Sequence, residues 1–292
     1  MTYTGRFAPS PSGPLHFGSL VAALGSYLQA KSQHGKWLVR IEDIDPPREQ
    51  PGATREILST LQAHGLEWDA DVSYQSHFSH YYDEILQYLS EHSLSYNCNC
   101  TRAQIKAIGG RYQGHCRDRQ HHPAGCALRF RNCHPVYQFQ DQHLGLIEVD
   151  RATAEEDFIV RRKDRLYAYQ LAVVADDIRQ GITEVVRGAD LLDTTTSQIA
   201  LYRALGAVPP RWLHLPVAAA RAGFKLSKQN HAPAIDNNLA VDNLRQALVF
   251  LGLPGQQVGG FDRVDPLLQW AAGQWSVAQL PSAREVLWLP SD

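Results

Sequence analysis

Residues 3–41 constrain the fold more than any other stretch. An apolar run at 3–8 enters a loop of proline, serine and glycine, Pro9-Ser10-Pro11-Ser12-Gly13-Pro14. Behind His16, Gly18 and Ser19, the residues Leu20, Val21, Leu24, Tyr27 and Leu28 recur at helical spacing. Trp37-Leu38-Val39-Arg40-Ile41 then reads as a second strand. Strand, helix and strand in that order imply a right-handed βαβ unit in a parallel sheet, hence an α/β fold. Backbone N–H groups and the helix dipole at the turn make a place for phosphate. Taken alone, the pattern is equally that of an ordinary βα turn. The spacing of Gly13 and Gly18 matches a P-loop, but the lysine such a loop needs beside the second glycine is missing.

The second strand runs into Glu42-Asp43-Ile44-Asp45, which puts carboxylates at the C-terminal end of a parallel strand, where such sheets bind ligands. Amphipathic helices are expected at 54–64, with Ile57, Leu58 and Leu61 on one face, and at 77–90, with Tyr81, Ile85, Leu86 and Leu89 aligned. The pattern then loosens, and residues 101–150 read as an insertion between two halves of the sheet. Alternation resumes at 157–160, and an apolar stretch at 166–177 ends in Asp176-Asp177. Thr183-Glu184-Val185-Val186 looks like a further strand with Arg187 at its carboxyl end, where a planar guanidinium suits a substrate carboxylate. A helix carrying Ile199, Leu201, Tyr202 and Leu205 follows, and another is expected at 243–251. Lys225 and Lys228 are either plain surface lysines or cationic arms on a loop that closes over a polyphosphate.

The five cysteines all fall between 98 and 133, a clustering that suits a metal site in a reducing compartment better than a disulfide scaffold. Cys98-x-Cys100 with Cys116 resembles half of a zinc knuckle. Its fourth ligand is open between His115, adjacent to Cys116, and Tyr112, one helical turn before it. The net charge of −2 hides an asymmetry. Residues 102–134 carry Arg102, Lys106, Arg111, Arg117, Arg119, Arg129 and Arg131 against Asp118 alone. Such a patch faces either water or a phosphate backbone. No apolar run is long enough to span a bilayer and the start lacks the order of a secretory signal, so no membrane partner and a cytoplasmic location are expected.

Pro14-Leu15-His16-Phe17-Gly18-Ser19 resembles the HIGH signature of class I aminoacyl-tRNA synthetases, and Lys225-Leu226-Ser227-Lys228-Gln229 resembles their KMSKS loop. Arg6 to Gly13 and Arg40 to Asp45 further resemble the glutamyl/glutaminyl branch, over about residues 3–235. With Cys-x-Cys…Tyr-x-x-x-Cys and no room for an anticodon-binding domain, the chain is similar to the glutamyl-Q tRNA(Asp) synthetase family. That resemblance implies a class I Rossmann-like parallel sheet with a zinc-containing insertion and a short α-helical C-terminal part. It divides the chain into a first catalytic half (1–96), the insertion (97–150), a second catalytic half (151–215), and a loop with a short helical stem-contact-like region (216–292).

The resemblance also implies a reaction. L-glutamate would be activated with ATP and Mg²⁺ without any need for tRNA, and would pass to the queuosine base of tRNA(Asp); a glutamyl-tRNA synthetase paralogue charging the tRNA 3′ end is the alternative.

 By motif, Arg6, Phe7, Ala8, Pro9, Ser10, Glu42, Tyr169 and Arg187 would form the glutamate site, with Glu42 on the α-amino group and Arg187 and Arg6 on carboxylate oxygens. His16, Gly18, Lys225 and Lys228 would bind ATP, and His16 and Lys228 would act in catalysis by stabilising phosphate charge. Cys98, Cys100, Tyr112 and Cys116 would hold one structural Zn²⁺, the tyrosine taking the fourth place by resemblance alone. A monomer is expected. HFGS in place of HIGH lacks the second histidine, and KLSKQ replaces KMSKS.

Overall fold

The computed structural model describes residues 2–221, 224–225 and 233–288. β1 (Thr4–Phe7) leads through the proline–serine loop into α1 (Phe17–Ser32), which returns the chain to β2 (Lys36–Ile41). α2 (Ala53–Ala63) reaches a short β3 (Ser73–Tyr74), and α3 (Ser79–Glu91) follows. Next come β4 (Ser95–Cys98), α4 (Arg102–Ala107), β5 (Ala127–Phe130), β6 (Gln138–Asp141), β7 (Gly145–Glu148), α5 (Arg151–Ala154) and β8 (Ile159–Arg161). Then follow α6 (Tyr169–Arg179), β9 (Glu184–Gly188), α7 (Thr195–Ala204) and β10 (Arg211–Leu215). β11 (Val217–Arg221), β12 (Phe224–Lys225), α8 (Ala240–Phe250), α9 (Gly255–Val258), α10 (Val264–Gln274) and β13 (Glu285–Leu287) complete the described chain.

β1, β2 and β3 pair in parallel, as do β9, β10 and β6, with β7 added antiparallel. Thr183 N–H donates to the Thr4 carbonyl at 2.9 Å, and Thr4 N–H to Thr183 Oγ1 at 2.9 Å, which sets β9 beside β1. From that junction the chain steps outward to β2 on one side and to β10 on the other. This reversal is the switch point of an open α/β sheet, where a crevice opens beyond the carboxyl ends of the strands.

Alternation along β9 and β10 feeds two cores. Val186, Leu213 and Leu215 face Leu24, Leu28, Leu244 and Leu267 of α1, α8 and α10. Val185 and Trp212 face Leu86, Val173 and Leu201 of α3, α6 and α7. α1 approaches the sheet closely at Gly25, where a Cβ would meet Leu215 at 2.5 Å. Among the described residues no helix is long and apolar enough to cross a membrane.

The structure departs from the sequence reading in two places. On α3 the buried tyrosine is Tyr82, not Tyr81: it stands at the correct i, i+3, i+4 spacing from Ile85 and Leu86, and its hydroxyl reaches the buried Asp176 at 2.6 Å. Within 97–150 the chain does not stay in one unit. β4, β5 and β8 form a separate antiparallel sheet, whereas the β6–β7 hairpin joins the parallel sheet through β10. β6 is short and alternates Phe139 and Asp141 inward with Gln138 and Gln140 outward, a period-2 signal too brief to stand out in a polar stretch.

Candidate active site

β1 and β2 carry two arginines into the crevice, and both are buried. Arg6 Nε and Nη2 donate to Asp177 Oδ1 and Oδ2 at 3.0 and 3.2 Å. Arg40 Nη1 donates to the same Oδ1 and to Gln180 Oε1, each at 2.7 Å, while its Nη2 faces Glu42 Oε1 at 3.4 Å. Burial alone would raise the pKa of Asp177, but Arg6 and Arg40 outweigh it and hold the carboxyl below its ordinary value. At Glu42 burial wins: its pKa is raised despite Arg40 and Arg6. Glu42 is thus a buried carboxylate short of positive charge, a suitable partner for a substrate ammonium.

Glu42, Ser10 and Tyr169 line one cavity of about 720 Å³, together with Asp45 and Arg162. Ala8 and Pro9 carry the chain out of β1, and the Pro9 carbonyl accepts the Glu42 N–H at 3.0 Å, which ties the loop to the carboxylate. Phe7 points away from the cavity into the core, stacked on Trp37. Tyr169 opens α6 and is 37% exposed, with part of its surface on the cavity. Arg6, Glu42, Asp177 and Arg187 all lie close enough to act on its hydroxyl, whose pKa burial raises.

Arg187, near the end of β9, is 5% exposed. Its Nε donates to His214 Nε2 at 3.2 Å, Nη1 to Gln198 Oε1 at 2.8 Å and Nη2 to Thr195 Oγ1 at 2.8 Å. The Trp212 ring lies 4.9 Å from the guanidinium. Gln198 takes one of the two N–H groups of Nη1, and the Tyr169 hydroxyl also lies within hydrogen-bonding reach of the guanidinium, which links the buried Arg187 to the cavity that Tyr169 lines.

A second cavity of about 220 Å³ opens across the switch point, lined by His16, Gly18, Ser19, Gly188, Asp190 and Val217. His16 is the N-cap of α1: its Nδ1 accepts Ser19 N–H at 3.3 Å. Ala234 forms a β-bridge with His16, and Ile235 N–H donates to the Leu15 carbonyl at 2.9 Å. The segment six residues beyond Lys228 in sequence is therefore paired with the first signature. Lys225 lies in β12, and Lys228 falls outside the described residues.

The Sγ atoms of Cys98, Cys100 and Cys116 lie within 4.8 Å of one another, and no other group of histidine, cysteine or acidic side chains among the described residues gathers this way. Tyr112 lies beside this group: its hydroxyl accepts Cys116 N–H at 2.8 Å, and Arg129 covers its ring at 3.6 Å. His115, the other residue considered for the fourth place, is not in the group. Burial and the neighbouring thiols Cys116 and Cys98 push the Cys100 thiol up to about 11. At Cys98 burial is outweighed by Arg129 and neighbouring hydrogen bonds, which hold that thiol below its ordinary value; three sulfurs gathered this closely are a donor set for a thiophilic divalent cation, so the residues fit zinc. The basic surplus nearby is partly internal. Arg129 is buried and donates to the Asp157 carbonyl, and Arg117 pairs with Asp157, whereas Arg102, Lys106, Arg111 and Arg119 are exposed.

Three groups were not singled out from sequence as part of the site: Asp177, Asp141 and His214. Asp177 ended an apolar run, and the other two meet only through β6 and β10. The one available signal was that two carboxylates closed an otherwise apolar segment.

The catalytic-domain profile of the class I tRNA synthetases for E and Q matches residues 3–261. A protein of Escherichia coli O157:H7 named glutamyl-Q tRNA(Asp) synthetase is 54% identical over 281 residues, covering 96% of this chain and 91% of its own. One of the same name from Vibrio vulnificus (strain CMCP6) is 52% identical over 286 residues, covering 98% and 94%. The crystal structure of a glutamate-tRNA synthetase from Elizabethkingia anophelis superposes with a TM-score of 0.81 at 22% identity, over 97% of this chain and 67% of that one. That last likeness carries the fold.

Proposed function

The chain belongs to the glutamyl-Q tRNA(Asp) synthetase family of class I ligases, and from that premise we propose that it activates L-glutamate with ATP in the absence of tRNA and transfers the glutamyl group to the queuosine base of tRNA(Asp). The observation that supports this reading is that Glu42 and Tyr169 line one cavity, with Arg187 close to the Tyr169 hydroxyl, while the His16–Gly18 helix N-terminus lines a second cavity across the same switch point.

Glu42 takes the α-amino group, and Arg187 with Tyr169 takes carboxylate oxygens. Arg6 acts through Asp177 and the shared field rather than with a free fork. One oxygen of the α-carboxylate attacks the α-phosphorus of ATP in line. The α–β anhydride bond breaks, and pyrophosphate leaves with the electron pair. His16 and the N-terminus of α1 hold phosphate oxygens, and Lys225 and Lys228 neutralise the leaving group. Positioning and electrostatics supply the rate, with no covalent enzyme intermediate. A hydroxyl on the cyclopentene ring of queuosine then attacks the acyl carbon and AMP departs. Cys98, Cys100, Tyr112 and Cys116 would hold zinc, which supplies a structural cross-link to the insertion and takes no part in the chemistry. The exposed Arg102, Lys106, Arg111 and Arg119 give the insertion a surface for the RNA backbone. The enzyme acts as a cytoplasmic monomer in this reading.

The test is glutamate-dependent ATP–pyrophosphate exchange without tRNA, followed by transfer of labelled glutamate to tRNA(Asp) with and without queuosine. Exchange without RNA and label only on queuosine-containing tRNA are expected. Label on tRNA lacking queuosine would instead identify an enzyme that charges the 3′ end.

A further inference from the structure

Behind Arg187 lies a buried relay that the reaction as described leaves unused. His214, at 0% exposure, stands between Arg187 and Asp141, which is 1% exposed. Its Nδ1 is 2.7 Å from Asp141 Oδ2, and its Nε2 is 3.2 Å from both Arg187 Nε and Thr195 Oγ1. The remaining contacts of Asp141 are donors as well. The N–H groups of His143 and Leu144 reach Oδ1 at 3.0 and 2.9 Å, and His214 N–H reaches Oδ2 at 3.1 Å.

A carboxylate surrounded by N–H donors acts only as an acceptor, so the imidazole proton belongs on Nδ1. Nε2 then presents its lone pair to the Arg187 Nε–H. The opposite tautomer, or an imidazolium, would point an N–H at a guanidinium N–H. Burial first, and Arg187 with it, lowers the pKa of His214 against the pull of Asp141 and keeps the ring neutral. Trp212 stacks on His214 with an interplanar angle of 12° and also underlies Arg187, so the two planes share one support.

We propose that Asp141 and His214 are positioning residues for the amino-acid substrate: Asp141 selects the Nδ1–H tautomer of His214, and that tautomer anchors Nε of Arg187 so that Nη1 is presented to a substrate carboxylate. The inference rests on the reading of Arg187 as a glutamate ligand, and it adds to that reading a determinant of amino-acid affinity supplied by the hairpin β6–β7.

The experiment has two arms. Long-range ¹H–¹⁵N NMR of histidine-labelled protein reads the tautomer directly and needs no activity. His214 is expected as Nδ1–H in the wild type; an Nε2–H form or an imidazolium at neutral pH overturns the proposal. The kinetic arm measures KM for glutamate, KM for ATP and kcat in pyrophosphate exchange. His214→Phe keeps the ring and removes the acceptor, and Asp141→Asn cannot accept from both sets of donors. Each is expected to raise KM for glutamate by about ten- to a hundredfold, the effect of losing a hydrogen bond to a charged group, with KM for ATP within about twofold. His214→Gln, whose amide oxygen can accept from Nε, is expected to recover part of the loss. Thr195→Val removes the acceptor of Arg187 Nη2 but keeps the Asp141–His214–Arg187 Nε contacts, so His214 is expected to stay Nδ1–H in it, and a switch to Nε2–H there overturns the proposal. An unchanged glutamate KM in His214→Phe, or a His214→Gln no better than His214→Phe, overturns the proposal. Arg187→Lys separates the two levels: if it leaves glutamate KM unchanged, the assignment of Arg187 fails, whatever the tautomer proves to be.

Discussion

Asp177→Asn tests the electrostatic logic of the crevice most directly. The wild-type carboxylate accepts from Arg6 at 3.0 and 3.2 Å and from Arg40 at 2.7 Å, and all three side chains are almost fully buried. The amide keeps the shape but loses the charge, and one of its two positions becomes a donor facing a donor. Arg40 retains Glu42 and Asp176, whereas among the described residues Asp177 is the acid that Arg6 pairs with directly, so Arg6 is left poorly compensated.

 Breaking a buried pair from one side costs about 3–5 kcal/mol, against a total stability of about 5–15 kcal/mol. At about 2–4 °C per kcal/mol for a chain of this size class, the midpoint should fall by about 6–20 °C. The pH dependence has a definite sign. The native pKa of Asp177 is depressed, so its contribution is present above the ordinary aspartate range and is lost as pH falls through the native value. Urea denaturation of both proteins from pH 7 to pH 3 measures the gap, which should be full at neutral pH and narrow below about pH 4. A gap under about 1 kcal/mol at pH 7, or one that stays constant down to pH 3, would refute the argument.

Glu42→Gln should behave in the opposite way. The pKa of Glu42 is raised by burial, so its ionised form costs stability that appears as pH rises through the native value. The variant should match or exceed wild-type stability at pH 7–8 while glutamate-dependent exchange collapses; thermal melts paired with exchange assays check both halves. Cys116→Ser removes one of three clustered sulfurs. Metal analysis should fall from one zinc per chain to none, with transfer to RNA reduced about tenfold or more and tRNA-free exchange held within about threefold.

The long helices were legible because their apolar residues repeat at helical spacing: Ile57 with Leu61 and Ile85 with Leu89 are buried. β1, α1 and β2 were legible for a related reason, since one strand–helix–strand unit admits few arrangements. The insertion was not. Its strands are three or four residues long, and the partners of β5 and β6 lie far along the chain in β8 and β10. The site divides in the same way. Glu42 and Arg187 stand at strand ends, where position implies exposure to the crevice. What surrounds them was hidden, because a buried aspartate such as Asp141 or Asp177 looks like any other until the residue that compensates it is known. For Arg6 and Asp177 that residue is 171 positions away, and for Asp141 and His214 it is 73.

The hairpin β6–β7 has a consequence for anyone who would shorten this protein. It sits between β5 and β8, two neighbours in the insertion sheet, yet it extends the catalytic sheet and delivers Asp141 to His214. The chain stitches from one sheet to the other and back, so no single excision lifts the part that carries the cysteine cluster out as a cassette. A graft that replaced residues 97–150 wholesale would take the last parallel strand of the catalytic sheet with it, and a transplantable unit must leave 138–148 behind.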